Sequence, residues 1–216
     1  MSIHRSYAVF GLGRYGLAVA KELSLSGADV LAVDISQEFV NDAIDEVPIC
    51  KCADVTDPDV IKQLGISNVD TVIIAMAGNL EASVMAVTLC KEAGVENVIA
   101  KCANEMHRKI LSRVGADTVV FPESESGTRL AKNILSSGFI DIIELSKNVN
   151  MVEVDVKNEW AGKSLIELNF RKKYSLNVVA IKENDEIVID IDPQKPLSKN
   201  MKLIVIADMA KLNKLK

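Results

Sequence analysis

Long apolar runs are missing from this sequence of 216 residues. A helix that crosses a bilayer needs about 20 consecutive apolar residues, whereas the longest run here is of the VIIAMA kind, at residues 72–77. The N-terminus also lacks the charged and then apolar segments of a secretion signal. The sequence therefore predicts a cytoplasmic protein without a membrane span.

Histidine and paired cysteines are scarce as well. The only histidines are His4 and His107, and no two cysteines have the C-x-x-C spacing of a structural zinc site. The cysteines lie in apolar stretches, at Cys50, Cys52, Cys90 and Cys102. We therefore expect reduced, buried cysteines rather than a zinc site or a redox pair.

Positive charge is also in short supply, because 25 Lys and Arg face 30 Asp and Glu, for a formal net charge of -5. From Val149 to the end we count 12 basic and 10 acidic residues, which leaves 13 basic and 20 acidic residues before it. The earlier part therefore carries about seven net negative charges (13 − 20). Binding of nucleic acid to a basic surface is not expected there.

Strand and helix patterns alternate over roughly the first 140 residues. The predicted strands are Ser6 to Phe10, Asp29 to Asp34, Pro48 to Cys52, Thr71 to Ala75, Asn97 to Lys101 and Thr118 to Phe121. The predicted helices are Arg14 to Leu25, Gln37 to Asp45, Asp57 to Leu64, Leu80 to Ala93 and Glu105 to Val114. Strands joined by crossover helices predict an α/β fold with a Rossmann-like, doubly wound parallel sheet.

The pattern changes after Glu123. Residues 124–148 have helical periodicity but no strand that returns to the sheet, which predicts crossover helices that pack on a second copy of the chain. Residues 149–216 predict a small α+β domain with a helix at Ser164 to Leu168. Its predicted strands are Met151 to Val156, Val178 to Glu183, Glu186 to Ile191 and Lys202 to Ala207. The predicted domains are thus 1–123, 124–148 and 149–216.

The stretch FGLGRYG at residues 10–16 has the spacing G-x-G-x-x-G between a predicted strand and a predicted helix. In that context Gly11 makes the tight turn, Gly13 lets backbone N–H groups approach phosphates, and Gly16 lets the helix pack on the sheet. The motif predicts a nucleotide site, and the alternative is a glycine-rich turn without a ligand.

Asp34 and Arg14 refine that prediction. Asp34 ends the second predicted strand, where a carboxylate accepts ribose hydroxyls and repels the 2'-phosphate of NADP; the alternative is an N-terminal helix cap. Arg14 places a cation in the first turn of a helix, which opposes the helix dipole unless an anion lies nearby. This favours the terminal phosphate of ADP or ATP over a dinucleotide, while a solvated surface arginine is the alternative.

Further candidates follow the other strands, because ligands of such folds gather at the carboxyl ends of parallel strands. They are Asp54, Val55, Met76, Ala77, Gly78, Lys101, Cys102, Ala103 and Glu123. His107 is predicted to face the same edge, with an exposed helix histidine as the alternative. Glu123 either stabilises a helix entry or, beside a polyphosphate, holds a divalent cation. A poised acid–base pair is missing, so binding without turnover is favoured over hydride chemistry.

These residues resemble the RCK (regulator of potassium conductance) family, and within it the cytosolic regulatory subunits of Ktr- and Trk-type bacterial potassium uptake systems. The matching segments, in the order of the family, are YAVFGLGRYGLAVAKEL, VLAVDIS, CADVTD, NLEASVMAVTLCKEAG, VIAKCANEMHRKIL, VGADTVVFPESESGTRLAKNI and SLIELNFRKKYSLNVVAIK. The resemblance covers nearly the whole chain.

The resemblance implies a non-enzymatic subunit that dimerises and builds a ring, commonly an octamer, beneath a membrane potassium transporter of the KtrB or TrkH type. The ring binds ATP or ADP in Ktr-like members and NAD or NADH in Trk-like ones. By matching position, Arg14 contacts phosphates, also those of a neighbouring subunit, and Glu123 binds an activating cation such as Mg²⁺. Residues 34–36, Asp34, Ile35 and Ser36, hold the ribose.

The resemblance assigns the remaining candidates to the same nucleotide and to a second ligand. Asp54 and Val55 hold the adenine, Met76 to Gly78 lie at the middle of the ligand, and Lys101 to Ala103 line the pocket with His107. Some relatives bind cyclic di-AMP in the C-terminal domain. The matching residues here are Asn169, Phe170, Arg171, Tyr174, Asn177 and Val178, with Asn169 in the place of an acidic residue.

Overall fold

The computed structural model describes residues 5–135, 139–146 and 149–208. Two compact units make up the chain, Met1–Glu123 and Ser124–Lys216. In the described part of the chain no helix is both long and apolar enough to cross a bilayer.

The first unit is built on a parallel sheet of six strands. The strands are β1 (Ser6–Phe10), β2 (Asp29–Asp34), β3 (Ile49–Cys52), β4 (Thr71–Ile74), β5 (Asn97–Lys101) and β6 (Thr118–Val120). The helices are α1 (Arg14–Leu25), α2 (Gln37–Ala43), α3 (Pro58–Gln63), α4 (Leu80–Glu92) and α5 (Glu105–Arg113), with a 3-10 turn at Ile66–Asn68. The strand order is β3-β2-β1-β4-β5-β6, which confirms the predicted Rossmann-like fold.

Apolar side chains cover both faces of this sheet. Ala8 and Phe10 of the central strand β1 point into one buried cluster, and Val9 between them points into the other. All three side chains are fully buried, as expected for a parallel strand with helices on both faces. Short polar residues start the helices: Asn79 accepts a hydrogen bond from Ala82 N in α4, and Asn104 accepts one from His107 N in α5.

The cysteine prediction holds for two of the four residues. Cys90 and Cys102 are fully buried, and burial raises the pKa of the Cys90 thiol to about 12. Cys50 is half-buried and Cys52 is exposed, because both lie on β3, the edge strand of the sheet. The four cysteines are free thiols.

The second unit contains an antiparallel sheet of five strands in the order β10-β9-β11-β8-β7. The strands are β7 (Phe139–Glu144), β8 (Val149–Asp155), β9 (Asn177–Glu183), β10 (Glu186–Val188) and β11 (Lys202–Asp208). The helices are α6 (Pro122–Leu135), which begins at the unit boundary, α7 (Leu165–Leu168) and α8 (Phe170–Lys173).

The prediction of helices throughout residues 124–148 was wrong for β7. This segment pairs antiparallel with β8, and Leu145 N donates to Val149 O in the turn between them. The sequence FIDIIE has three β-branched residues in six positions, which fits a strand better than a helix. The short helix α8 was also missed, because an isolated turn of four residues has no detectable periodicity.

An aromatic cluster forms the centre of the second core. The only tryptophan of the chain, Trp160, is fully buried, and its ring lies 4.8 Å from Phe170 and 5.4 Å from Tyr174. Trp160 Nε1 donates a hydrogen bond to the Tyr174 hydroxyl over 3.2 Å. Apolar contact and one satisfied buried donor therefore hold Trp160, which follows β8, against Phe170 of α8 and Tyr174 at the end of that helix.

Candidate functional site

A cavity of about 440 Å³ opens at the carboxyl ends of the first four strands. It lies where the strand order reverses between β1 and β4, which is the usual place for ligands in open α/β sheets. Its walls come from the loops that follow β1 to β4 and from the start of α4. The lining residues are Gly11, Gly13, Val33, Asp34, Ile35, Ala53, Asp54, Val55, Thr56, Ala75, Met76, Gly78, Asn79 and Ala82.

The glycine loop brings α1 close to the end of β1. Gly11 has φ +90°, and a Cβ at Gly16 would lie only 1.8 Å from Gly11 O. By contrast, a Cβ at Gly13 would have no heavy atom within 4 Å. The loop thus combines a close packing contact on the inside with an open helix N-terminus on the outside, where an anion can approach backbone N–H groups.

Asp34 fastens this loop to β2. One carboxylate oxygen accepts Leu12 N over 2.6 Å, and the other accepts Ser36 N over 2.8 Å. The N-cap of α2 is Ser36, so the alternative role of Asp34 as that cap is wrong. An ionised carboxylate has about four acceptor sites, so two remain for ligand hydroxyls.

The wall beyond Asp34 has an apolar surface with one fixed carboxylate. Ile35 lines the cavity with 69% of its surface exposed, although it is a large apolar residue. Asp54 accepts hydrogen bonds from the Thr56 hydroxyl and the Thr56 backbone N–H, and these lower the pKa of Asp54. An apolar face beside a held carboxylate suits a flat, partly polar group such as a nucleobase.

The loop after β4 forms the opposite wall. Asn79 caps α4, and the Ser83 hydroxyl donates to Met76 O over 3.0 Å, which holds the loop in place. Met76 and Gly78 line the cavity, whereas Ala77 between them does not.

An ion pair lies at the end of β5. Lys101 Nζ contacts Glu123 Oε1 at 2.6 Å and lies 5.2 Å from the centre of the Tyr15 ring. The pKa of Glu123 is lowered chiefly by the hydrogen bond from Lys101, and the positive charge of Arg14 acts in the same direction. These contacts gather residues from the start of α1, the end of β5 and the start of α6.

The structure brings eight of the predicted nucleotide residues to the walls of one cavity. They are Gly11, Gly13, Asp34, Ile35, Asp54, Val55, Met76 and Gly78. The others lie outside those walls: Arg14, Gly16, Ser36, Ala77, Lys101, Cys102, Ala103, His107 and Glu123. Cys102 is fully buried, so neither its side chain nor its backbone is exposed to a ligand.

Sequence reasoning missed several wall residues, namely Val33, Ala53, Thr56, Ala75, Asn79 and Ala82. All but Ala82, which lies in the first turn of α4, are at most five residues from a strand end. Position alone could have found them, because no chemical signal distinguishes a small apolar wall residue from core.

No cluster of three or more His, Cys, Asp or Glu that could hold a metal ion occurs among residues 5–135, 139–146 and 149–208. Glu123 supplies one carboxylate, and that carboxylate is paired with Lys101. A hard divalent cation needs at least six oxygen ligands. A cation at Glu123 would therefore take most of its ligands from phosphate oxygens and water.

A cavity of about 410 Å³ lies in the second unit. It is lined by Leu165, Ile166, Asn169, Phe170, Arg171, Leu176, Asn177, Val178 and Pro193. Five of the six residues predicted for cyclic di-AMP are in that set, and Tyr174 is not, because its ring packs on Trp160. Asn169 has φ 48° between α7 and α8, a conformation that asparagine adopts more readily than most residues.

The family comparison matches both units. The TrkA-N domain matches residues 7–122, and the TrkA-C domain matches residues 151–216. The chain is 36% identical to the Ktr system potassium uptake protein C of Bacillus subtilis, over 97% of this chain and 95% of that protein. It is 35% identical to the Ktr system potassium uptake protein A of Vibrio alginolyticus, over 98% of this chain and 97% of that protein.

Solved structures have the same fold. The GsuK channel bound to NAD matches with a TM-score of 0.62 and 16% identity, over 98% of this chain and 38% of the channel chain. The NAD(P)-binding domain of an exopolyphosphatase-related protein from Archaeoglobus fulgidus matches with a TM-score of 0.53 and 23% identity, over 61% of this chain and 98% of that domain. The two domain matches and the Ktr relatives confirm the resemblance drawn from the motifs, and the chain belongs to the TrkA-N family together with the Ktr system potassium uptake proteins.

Proposed function

We propose that this protein is a non-enzymatic, nucleotide-sensing regulatory subunit of a potassium uptake system. The observation that carries the proposal is the cavity at the glycine loop, in which the open N-terminus of α1 meets the Asp34 carboxylate. A ligand with phosphates at one end and ribose hydroxyls beside Asp34 satisfies both groups. The Ktr relatives supply the link to potassium uptake.

We infer that the ligand is ATP or ADP. Arg14 is exposed at the first turn of α1, and its positive charge helps to lower the pKa of Glu123. Arg14 and Lys101 would contact the terminal phosphates, and Glu123 would share a divalent cation such as Mg²⁺ with them. ATP and ADP can shift the protein between two shapes only by the difference in their affinities for each shape, so the distinction belongs at the phosphate end.

NAD or NADH is the second candidate ligand. The GsuK channel of similar fold is bound to NAD, and Asp34 suits the ribose of either ligand. A thermal-shift comparison of NADH, ADP and ATP at equal concentration separates the candidates, since the tighter ligand gives the larger shift. Turnover of nicotinamide with a small substrate would instead support an NAD-dependent oxidoreductase.

The proposed assembly is a ring of dimers, an octamer, attached to a KtrB- or TrkH-like membrane subunit at the cytoplasmic face. Leu130 and Ile134 support dimerisation through α6, because they are four residues apart on one helix face and 61% and 69% exposed. Apolar residues in such a stripe suit a second copy of the chain. Residues 136–138 of the predicted crossover segment lie outside the described residues.

Arg14→Ala is expected to weaken ATP about tenfold or more and ADP about threefold or less, because the guanidinium contacts the last phosphate. Calorimetric titration of both nucleotides measures the two ratios. Arg113→Ala is the matched control, since Arg113 is also an exposed arginine at a helix end but lies in the last turn of α5. Equal losses for ATP and ADP would show that Arg14 does not sense the terminal phosphate.

Cyclic di-AMP is the proposed ligand of the second cavity, and Trp160 offers a direct signal for it. The Phe170 ring lines that cavity and contacts Trp160, so binding is expected to change the emission of the only tryptophan. Arg171→Ala should weaken the titration about tenfold or more, because Arg171 is the basic residue in the lining. Lys172→Ala is the control, since this exposed neighbour lies outside the lining. An unchanged emission at millimolar ligand would contradict the proposal.

A further inference from the structure

The contact between Lys101 and Glu123 bears on how a cation reaches the proposed nucleotide site. The Glu123 carboxylate is 61% exposed, but its Oε1 atom is 2.6 Å from Lys101 Nζ. A bound divalent cation lies about 2.0–2.6 Å from a carboxylate oxygen. The ammonium group therefore occupies the Oε1 side of the carboxylate, and a cation bound at either carboxylate oxygen would lie close to it and be repelled strongly.

Lys101 is held in this position from several sides. Its side chain is only 15% exposed, and its ammonium group lies over the Tyr15 ring in the first turn of α1. Arg14, adjacent to Tyr15 in the chain, adds positive charge that acts on Glu123. A mobile surface lysine would spend little time in one ion pair, whereas a lysine packed against an aromatic ring and a carboxylate is preorganised.

We propose that Lys101 is an internal counter-ion that exchanges with a divalent cation at Glu123. This inference rests on the proposed binding of ATP or ADP in the same unit. Without a cation, the ammonium group neutralises Glu123 and uses its remaining N–H donors for the incoming phosphates. When a cation binds, it takes over the carboxylate and the phosphate charge, and Lys101 leaves Glu123.

The exchange makes Lys101 important for ATP binding when no divalent cation is present and dispensable for it when the cation is bound. Lys101→Met keeps an unbranched side chain, shorter by one atom, and removes its charge. In EDTA this variant is expected to bind ATP about tenfold more weakly than the unchanged protein, since Glu123 loses its direct ion pair and keeps only the smaller effect of the Arg14 charge. With saturating Mg²⁺ the loss should shrink to about twofold or less, because the cation takes the place of the ammonium group.

The ATP affinity of Glu123→Gln should depend on Mg²⁺ in the opposite way. In EDTA this variant is expected to bind ATP as well as the unchanged protein or better, because Lys101 is released toward the phosphates. With Mg²⁺ this variant should show little of the increase in ATP affinity that the cation gives the unchanged protein. Lys91→Met is the matched control: Lys91 Nζ pairs with Asp117 at 3.0 Å in the same unit but on α4, outside the cavity lining. Lys91→Met should leave the affinity for ATP unchanged both in EDTA and in Mg²⁺.

Calorimetric titration of the full chain with ATP, in EDTA and in Mg²⁺, decides the matter. Rescue of Lys101→Met by Mg²⁺ supports the exchange. An equal loss of ATP affinity in both conditions overturns it, because Lys101 would then only support the pocket. If the unchanged protein binds neither ATP nor ADP in either condition, the proposed function fails, and that result is distinct from a failure of the exchange.

Discussion

Gly16→Ala is expected to lower the free energy of unfolding of the first unit by more than about 4 kcal/mol, an exceptional loss for one methyl group. The added Cβ would lie 1.8 Å from Gly11 O, 3.0 Å from Gly11 C and 3.1 Å from Ala75 Cβ. Two of these atoms belong to the backbone, so no side-chain rotation relieves the overlap. The loop cannot move away easily, because Gly11 N donates to Val33 O over 2.9 Å.

Gly13→Ala is the matched control in the same loop. Gly13 has φ −62°, and an added Cβ would have no heavy atom within 4 Å, so the unfolding free energy should change by only about 0.5 kcal/mol. Chemical denaturation followed by circular dichroism measures both variants, while Trp160 emission reports separately on the second unit. Similar stabilities of the two variants would disprove the close approach at Gly16.

Asp34→Ala is expected to weaken ATP and ADP binding by about 100-fold. The substitution removes the charged acceptor of the ligand's hydrogen bonds and also the contacts that hold the glycine loop in its shape. The carboxylate holds Leu12 N at 2.6 Å and Ser36 N at 2.8 Å. Leu12 is almost fully buried, so its N–H would lose its partner. That should also cost about 1–3 kcal/mol of stability. Calorimetry gives the affinity, and denaturation gives the stability.

Asp70→Ala separates these two effects. Asp70 accepts hydrogen bonds from Ser6 N at 2.7 Å and from the Ser6 hydroxyl at 2.9 Å, at the start of β1 rather than beyond its end. This control also loses a carboxylate that holds backbone, but Asp70 does not line the nucleotide cavity. Nucleotide affinity should stay unchanged in Asp70→Ala. A similar loss of affinity in both variants would mean that Asp34 acts only through stability.

The helices and strands of the first unit were largely predictable, because its hydrophobic pattern and its helix-capping residues indicate the same elements. The strands β1, β2 and β5 have the predicted bounds, as does α1, and other elements differ by one or two residues at their ends. Buried parallel strands are apolar runs bounded by turns, and Asn79 and Asn104 start helices through their side chains. Element ends differ because the last turn of a helix carries little sequence signal.

The second unit was predicted less well because its segments are short and depend on partners. β7 was taken as helix, since six residues cannot distinguish the two periods, and its pairing with β8 decides the conformation. In the first unit, Cys52 was likewise expected to be buried, but the place of β3 at the sheet edge exposes it. Strand order in a sheet is a long-range property that a local pattern does not contain.

The sequence by itself determined the fold class, the glycine loop and the family, because each depends on spacing along the chain. Only the tertiary structure decided which candidates meet at one cavity and what they contact. Lys101 and Glu123 are 22 positions apart, yet their charged atoms lie 2.6 Å apart, and Asp34 reaches back 22 positions to Leu12 N. Such contacts arise when parallel strands bring their carboxyl ends to the same edge, so the physical reason lies in the order of the strands.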